Sequence, residues 1–332
     1  MFLLSGLGLG GCSSTSSPPS TPQQSTPSPA QPVSTQPKGT PSAAKSLVDA
    51  ITGNAGDARE KARLLFKESN DLLAARDING AMDKRIQMLQ LRGTSTSMLG
   101  ALTGYAIQSM ALDHLSRIAS QLDAESSQKY ATELKALDAK SPTYVQLLQA
   151  EKAQEVKSFE SYTRKPGDWK KLIAGLGFKT DQQAVLNKLT PAQVKANIAK
   201  FYDGKIASAN QPYSAQVSEP ATDPYTAYVT KHISMARFVW TKNKTLRLFA
   251  IVALDRKTDH SLNRERVGPL PADPFGDGPL KEKGGMVYSV GPDTVDDGGS
   301  FVNDVERFNP KTKGDMLMPL FSPMRHLAQP ID

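Results

Sequence analysis

The sequence predicts a mainly α-helical protein with a small β appendage near its C-terminus, an α+β arrangement overall. From about residue 43 to residue 210, apolar residues recur at i, i+3/i+4 spacing with few Gly or Pro breakers. A second apolar helix follows residue 223, and then a segment rich in Asp, Gly and Pro with one strand-like run at 286–290. The 332 residues include 39% apolar and 22% charged residues, which is enough for a sizeable core and excludes a polytopic membrane protein.

The first twelve residues are typical of the end of a secretory signal, because an apolar run passes into small residues. Their last four, Leu9-Gly-Gly-Cys12, resemble the lipobox of bacterial lipoproteins. This resemblance implies that Cys12, the only cysteine, carries lipid and anchors the chain to a membrane. A free Cys in a disordered tail is the alternative. The run is short and has no Lys or Arg before it, which a start codon assigned too far downstream would explain.

Two further features of the N-terminal region concern location. Ser13, rather than Asp, follows the Cys, which by the same resemblance implies the outer membrane, facing the periplasm or the surface. Residues 13–44 are predicted to be a disordered tether, because 26 of the 30 residues from 13 to 42 are Ser, Thr, Pro or Gln. Frequent prolines keep such a chain extended, so we expect it to hold the folded body away from the bilayer.

Residues 45–210 are predicted to form a helical domain. Thr190-Pro191 marks a helix start, because Thr caps the first turn and Pro fits the first helical position. Gly204 is the predicted stop of that helix. The other predicted helices cover 57–75, 80–91, 96–122, a stretch around residues 130–137, and 141–162.

The predicted helix at 96–122 requires a choice between a membrane span and a core helix. No charge occurs from Gly93 to Leu112, a length that could cross a bilayer. Gly100 and Gly104 also have the spacing at which membrane helices pack closely. Seven Ser, Thr and Gln residues in the same stretch are too polar for lipid, and the apolar pattern continues past Asp113. We therefore predict the central helix of a soluble bundle.

Residues 211–224 are predicted to be a linker, because two prolines and several turn-forming residues interrupt the helical pattern there. Asp223-Pro224 can start the next helix, which we expect to reach about Lys257. Its apolar positions cover more than one stripe, so it should be deeply packed. Residues 225–332 are thus predicted to be a long helix followed by a small β- and turn-rich segment.

Motifs for catalysis or nucleic-acid binding are absent from the sequence. No HExxH, G-x-S-x-G or P-loop pattern occurs, and no run of Lys and Arg is interleaved with aromatic residues. Glu151 and Glu155 share a helix face, but the alternating Lys152 and Lys157 favour a solvent-exposed face over acid/base chemistry. The four histidines stand singly, at His114, His232, His260 and His326. Enzyme activity is therefore not predicted, though the sequence does not decide it.

The Asp- and Gly-rich segment is the most distinctive part of the chain. Residues 273–306 carry eight acidic and two basic side chains, in contrast to the net charge of +7 for the whole chain. The segment contains a DPF turn at 273–275, the run YSVGPD at 288–293 and the turn DDGG at 296–299. These motifs resemble the C-terminal calcium loop of type II secretion major pseudopilins, although the apolar N-terminal helix of that family is missing.

The pseudopilin resemblance implies that Asp293, Asp296 and Asp297 bind Ca²⁺, a cation that takes six to eight hard oxygen ligands in flexible loops. The alternative is that Asp, Gly and Pro serve there only as turn residues. A second resemblance covers most of the chain. The helical region, the basic and apolar helix, and the motifs LPxDPF, YSVGPD and DDGG resemble a group of uncharacterised bacterial envelope proteins, for which no activity follows.

The sequence therefore predicts a lipid-anchored cell-envelope protein with a non-catalytic structural or interaction role. Ca²⁺ is a candidate stabiliser, the N-terminal lipid provides the membrane contact, and an envelope protein is the expected partner. One alternative is a component of a pseudopilin-type secretion or assembly system. Another is a hydrolase whose site no motif reveals.

Overall fold

The computed structural model describes residues 43–91, 98–112, 115–215, 220–261, 269–284, 286–300 and 310–317. The predicted fold class is confirmed, since helices dominate and a small antiparallel sheet lies near the C-terminus. The helices are α1 (Ala43–Ala74), α2 (Ile78–Gln90), α3 (Met98–Leu112), α4 (Leu115–Ala119), α5 (Ala124–Ala139), α6 (Tyr144–Tyr162), α7 (Asp168–Gly175), α8 (Thr180–Leu186), α9 (Pro191–Ser208), α10 (Pro224–Thr230) and α11 (Ile233–Ser261). The strands are β1 (Lys281–Lys283), β2 (Met286–Ser289) and β3 (Met316–Leu317).

Side-chain caps in the sequence account for the starts of several helices. Thr143 and Thr190 each form a capping box with the Gln three residues later, at α6 and α9 respectively. The predicted start at Thr190-Pro191 is thus confirmed. The predicted stop at Gly204 is wrong, because α9 continues to Ser208. A helical Gly costs only about 1 kcal/mol, and Ala209, just beyond the helix, packs into the core.

The apolar stretch at residues 98–112 is a core helix. Ile107 and Ala111 of α3 are almost completely buried, and they pack with side chains of α2 and α5. No helix in the described parts of the chain has the length and apolar character that a membrane crossing requires. Residues 113 and 114, including His114, lie outside the described residues.

The helix predicted from residue 224 to about 257 is in fact two helices. Asp223 caps α10 by accepting from the backbone N–H and the hydroxyl of Thr226, at 2.9 and 2.6 Å. The chain then turns at Lys231 and His232 before α11 begins. His232 contacts Glu151 of α6, so a tertiary contact occupies the break.

Helix α11 is packed on several sides, as its wide apolar pattern predicts. Near its start, Ile233 packs in a cluster with α6 to α10. Further along, Leu254 packs with α1 to α5. Phe249 lies on another side and contacts the β appendage. The helix therefore joins three apolar clusters, and each of them depends on it.

The appendage is a three-stranded antiparallel sheet in the order β1-β2-β3. Lys281 pairs with Tyr288 across the first pair of strands, and Ser289 pairs with Met316 across the second. The turn before β1 buries Phe275 completely, and its ring packs against Phe238 of α11 with centroids 6.2 Å apart. Apolar burial thus fixes the appendage to the long helix.

Candidate functional site

The turn that precedes the sheet is organised around one buried carboxylate, Asp273, which is only 5% exposed. One of its oxygens, Oδ1, accepts from the Ser289 hydroxyl at 2.6 Å and from the Phe275 N–H at 3.0 Å. The other, Oδ2, accepts from the Val290 N–H at 2.9 Å. Burial raises the pKa of Asp273, and these hydrogen bonds oppose the rise. Asp273 therefore links the DPF turn to the end of β2.

A second buried carboxylate, Asp315, likewise links two segments of the appendage, the DDGG turn and β3. Its Oδ2 accepts from the Gly299 N–H at 2.7 Å, and its own N–H donates to the carbonyl of Ser300 at 3.0 Å. Burial raises the pKa of Asp315. The sequence analysis did not single out this residue, because a lone Asp in a Lys- and Gly-containing stretch has no pattern. Asp315 connects the DDGG turn to β3.

The predicted calcium ligands have separate neighbours in the structure. Asp293 accepts from the Gly314 N–H at 2.9 Å. Asp296 accepts from the Tyr288 hydroxyl at 3.1 Å and pairs with Lys281 Nζ at 3.0 Å, which holds the pKa of Asp296 below its usual value. The side chain of Asp297 is exposed.

Among the residues that the structure describes, no group of three or more His, Cys, Asp or Glu side chains is arranged to hold a metal ion. Four acidic side chains of the appendage accept hydrogen bonds from turn amides, which is the role expected of Asp as a turn residue: Asp273, Asp293, Asp296 and Asp315. Ca²⁺ binding by Asp293, Asp296 and Asp297 stays a prediction of the sequence.

An open cavity of about 290 Å³ lies beside the DPF turn. Its lining includes Gly276 and Gly278 of the turn, Lys281 of β1, and the loop residues Thr294 and Asp296. At Gly276 a Cβ atom would lie 3.2 Å from a methyl carbon of Val290, so glycine lets the turn pack closely on the end of β2. The cavity therefore lies between the DPF turn, β1 and the loop after β2.

A different group of titratable side chains lies where α6 meets α9 and the start of α11. Glu151 is 4% exposed, and its Oε1 is 3.1 Å from His232 Nε2. The prediction of a solvent-exposed face at Glu151 is therefore wrong. The apolar stripe of α6 includes Leu147 and Leu148, four and three residues before Glu151, so the carboxylate continues the buried face. Lys152 lies off this stripe and pairs with Asp203 at 2.5 Å.

Glu155 is half-buried one turn beyond Glu151. Burial raises its pKa to about 7; the nearby charge of Glu151 adds to the rise and that of His232 opposes it. Tyr202 of α9 completes the group. Its side chain is fully buried, and its hydroxyl has no hydrogen-bond partner in the described part of the chain. Burial and the two carboxylates raise the pKa of Tyr202 far above its usual value.

We define Glu151, Glu155, Tyr202 and His232 as the α6 acidic cluster. Such a cluster can take up and release a proton near neutral pH, because burial and the charge of Glu151 raise the pKa of Glu155 to about 7. The i, i+4 spacing of the two glutamates was visible in the sequence. The approach of His232, 81 residues away, was not. The sequence signal that could have predicted the burial of Glu151 was the apolar stripe of Leu147 and Leu148, which Glu151 continues.

The remaining candidates are less informative. Cys12 and His326 lie outside the described residues, as does His114. His260 is exposed in the last turn of α11. Comparison of the chain with family models, curated proteins and solved structures gives no match. Lipidation and the two family resemblances therefore stay predictions from the sequence.

Proposed function

We propose that this protein is a lipid-anchored cell-envelope protein with a non-catalytic structural or interaction role, and that its β appendage contacts an envelope partner. The observation that carries the proposal is the use of buried carboxylates in the appendage. Asp273 and Asp315 accept from backbone amides of separate loops and so fix those loops relative to the sheet. Side chains used in this way stabilise a shape, because their oxygens are engaged in hydrogen bonds within the appendage.

The fixed loops also expose apolar surface. Val295, between the YSVGPD and DDGG motifs, is 54% exposed. The neighbouring residues are held by Asp293, which accepts from Gly314 N–H, and by Asp296, which pairs with Lys281. An ordered loop that presents an apolar side chain loses little conformational entropy on binding, and this favours recognition of a protein partner.

The interaction role can be tested with a photo-crosslinking amino acid in living cells. Placed at position 295, the probe should give a discrete adduct with one envelope protein. Position 64 is the matched control, because Leu64 on α1 is 53% exposed and lies outside the appendage. Equal adducts at both positions, or none at 295, would contradict the proposed contact.

The anchor is tested separately. The full chain should incorporate a labelled fatty acid and sediment with the membrane fraction. Cys12→Ala should lose both properties, because it removes the thiol that carries the lipid. Membrane association and labelling that persist in Cys12→Ala would overturn lipid anchoring.

A second candidate function is acid/base catalysis, and one observation favours it. Glu155 has a pKa near 7 beside Glu151 and His232, and a carboxyl poised near the working pH is suited to proton transfer. If this candidate is correct, Glu155→Gln should abolish a hydrolytic activity detected on envelope polymers while the fold is retained.

A further inference from the structure

A small basic surface lies where α6 ends and α7 begins. It consists of Tyr162, Arg164, Lys165, Lys170 and Lys171, which we call the α6–α7 corner. All five side chains are exposed, and Tyr162 is 46% exposed. The corner thus places four positive charges and one aromatic ring within ten residues.

The charges of the corner are not neutralised locally. Among the described residues, none of its four basic side chains has a carboxylate within ion-pair distance. Asp168 accepts from the backbone N–H of Lys165 at 2.9 Å and so closes the turn between the helices, and Glu160, before the corner, pairs with Lys195. With Asp168 counted, residues 162–171 keep a net charge of +3, so the corner presents a positive potential.

The fold directs this surface outward. Trp169 and Ile173 of α7 are buried, and the indole N–H of Trp169 donates to the carbonyl of Leu189 at 3.1 Å. At 100° per residue, Lys171 lies about 200° round the helix from Trp169. The buried side of α7 thus fixes its basic side towards solvent.

The two lysines of the corner are also placed against the local electrostatics. Lys170 and Lys171 lie in the first turn of α7, where the helix dipole disfavours positive charge, and Asp168 of the same turn offsets part of this. A sequence that breaks a local rule at an exposed position commonly does so for a function.

From this arrangement we infer that the α6–α7 corner binds the surface of an anionic lipid bilayer. The inference rests on the proposed membrane location and deepens it, since it adds a second, electrostatic contact to the lipid anchor. It replaces the expectation that the tether at 13–44 keeps the body off the bilayer, because a chain of that length also allows the body to reach the surface. Lys and Arg near an anionic bilayer each strengthen binding by about fivefold. Exposed Tyr162 favours lipid over a hydrated polyanion, because tyrosine partitions to the interface between headgroups and acyl chains.

The test uses the full chain with Cys12→Ala, so that lipid attachment cannot contribute. Its binding to vesicles of phosphatidylcholine, with and without phosphatidylglycerol, is measured by sedimentation at low and high salt. We expect binding only to the anionic vesicles, and loss of binding at high salt because the charges are screened. Lys170→Gln with Lys171→Gln should lower the partition coefficient about 25-fold, at about fivefold for each residue.

The matched control is Lys61→Gln with Arg63→Gln, which removes the same charge from exposed positions of α1. This control should bind as the parent does. Equal losses in both double variants would mean that net charge alone acts, and the corner would not be a site. Tyr162→Ser should weaken binding to anionic vesicles. The proposal would also be overturned if the protein bound a soluble polyanion as strongly as it binds vesicles and Tyr162→Ser changed neither affinity. Neither result bears on lipidation, which labelling of Cys12 tests separately.

Discussion

Replacing Glu155 by Gln should remove much of the pH dependence of this protein's stability near neutrality. Glu155 is half-buried on α6, and burial together with the charge of Glu151 raises its pKa to about 7. The facing groups from other elements are His232 before α11, Tyr202 of α9 and Tyr225 of α10. Both tyrosines stay neutral through this pH range, because burial raises the pKa of each.

The sign follows from proton binding. Between the unfolded pKa of 4.5 and the folded pKa of about 7, the folded state holds the Glu155 proton and the unfolded state does not. Stability from this group is therefore complete below the unfolded pKa and is lost as the pH rises through the folded pKa. A shift of this size is worth about 3.4 kcal/mol, at 1.36 kcal/mol per unit. Roughly 2.5 kcal/mol of it falls between pH 5 and pH 8, and partial exposure reduces this to about 2 kcal/mol.

The measurement is the free energy of unfolding in urea at about pH 5 and about pH 8. Fluorescence of Trp169 is a suitable probe, because its ring packs on Phe159 of α6, the helix that carries Glu155, with centroids 5.6 Å apart. Glu155→Gln should be more stable than the parent at the higher pH by about 2 kcal/mol. The gain should shrink markedly at the lower pH.

Glu160→Gln is the control, since Glu160 lies on the same helix, is exposed and pairs with Lys195. Loss of that surface pair should cost up to about 1 kcal/mol at both pH values. The reasoning would be refuted if Glu155→Gln and Glu160→Gln had the same pH profile. It would also fail if Glu155→Gln were less stable than the parent at the higher pH.

Three further predictions concern other described residues. Asp273→Ala should lower the free energy of unfolding by about 3 kcal/mol, because it leaves buried donors unpaired. The control Asp277→Ala, at an exposed position, should change it little, and equal effects of the two variants in urea denaturation would refute the role of Asp273. Tyr202→Phe should be neutral or stabilising by up to about 1 kcal/mol, since the lost hydroxyl has no partner; a large loss in the same assay would show that the hydroxyl is bonded. Millimolar Ca²⁺ should raise the melting temperature relative to EDTA, and the added stability should be about 2.7 kcal/mol at a hundredfold excess over Kd. Asp293→Ala with Asp297→Ala should abolish the rise, and no shift in the parent protein would mean that these Asp residues serve only as turn residues.

Much of the local structure was predictable from the sequence, because short-range signals decide it. The capping pair Thr190-Pro191 predicted the start of α9, and β-favouring residues predicted β2. Apolar spacing predicted that the stretch at 98–112 packs in a core. The wide apolar pattern after residue 223 predicted the deep packing of α11.

Burial of polar groups was decided by tertiary contacts that no short window contains. Arg85 is completely buried, with Nη1 donating to the carbonyl of Met110 at 2.7 Å and the guanidinium over the ring of Phe66. A charged residue in an ordinary helical pattern predicts exposure, and only the packing of α1 and α3 against α2 supplies its acceptors, which include Ser69 Oγ and Asn70 Oδ1 of α1. The break between α10 and α11 has the same origin, since His232 is held by a carboxylate from a distant helix.

The candidate sites also depend partly on local sequence and partly on tertiary contacts. The sequence by itself determined the helices, the strand at 286–289, and the density of Asp in the appendage, because these depend on spacing and composition. Only the tertiary structure decided what each carboxylate does. Asp273 and Glu151 are both buried acids, but Asp273 accepts from nearby turn amides while Glu151 faces His232. The pKa of an acid depends on burial and on neighbouring charges, which only the folded chain brings together.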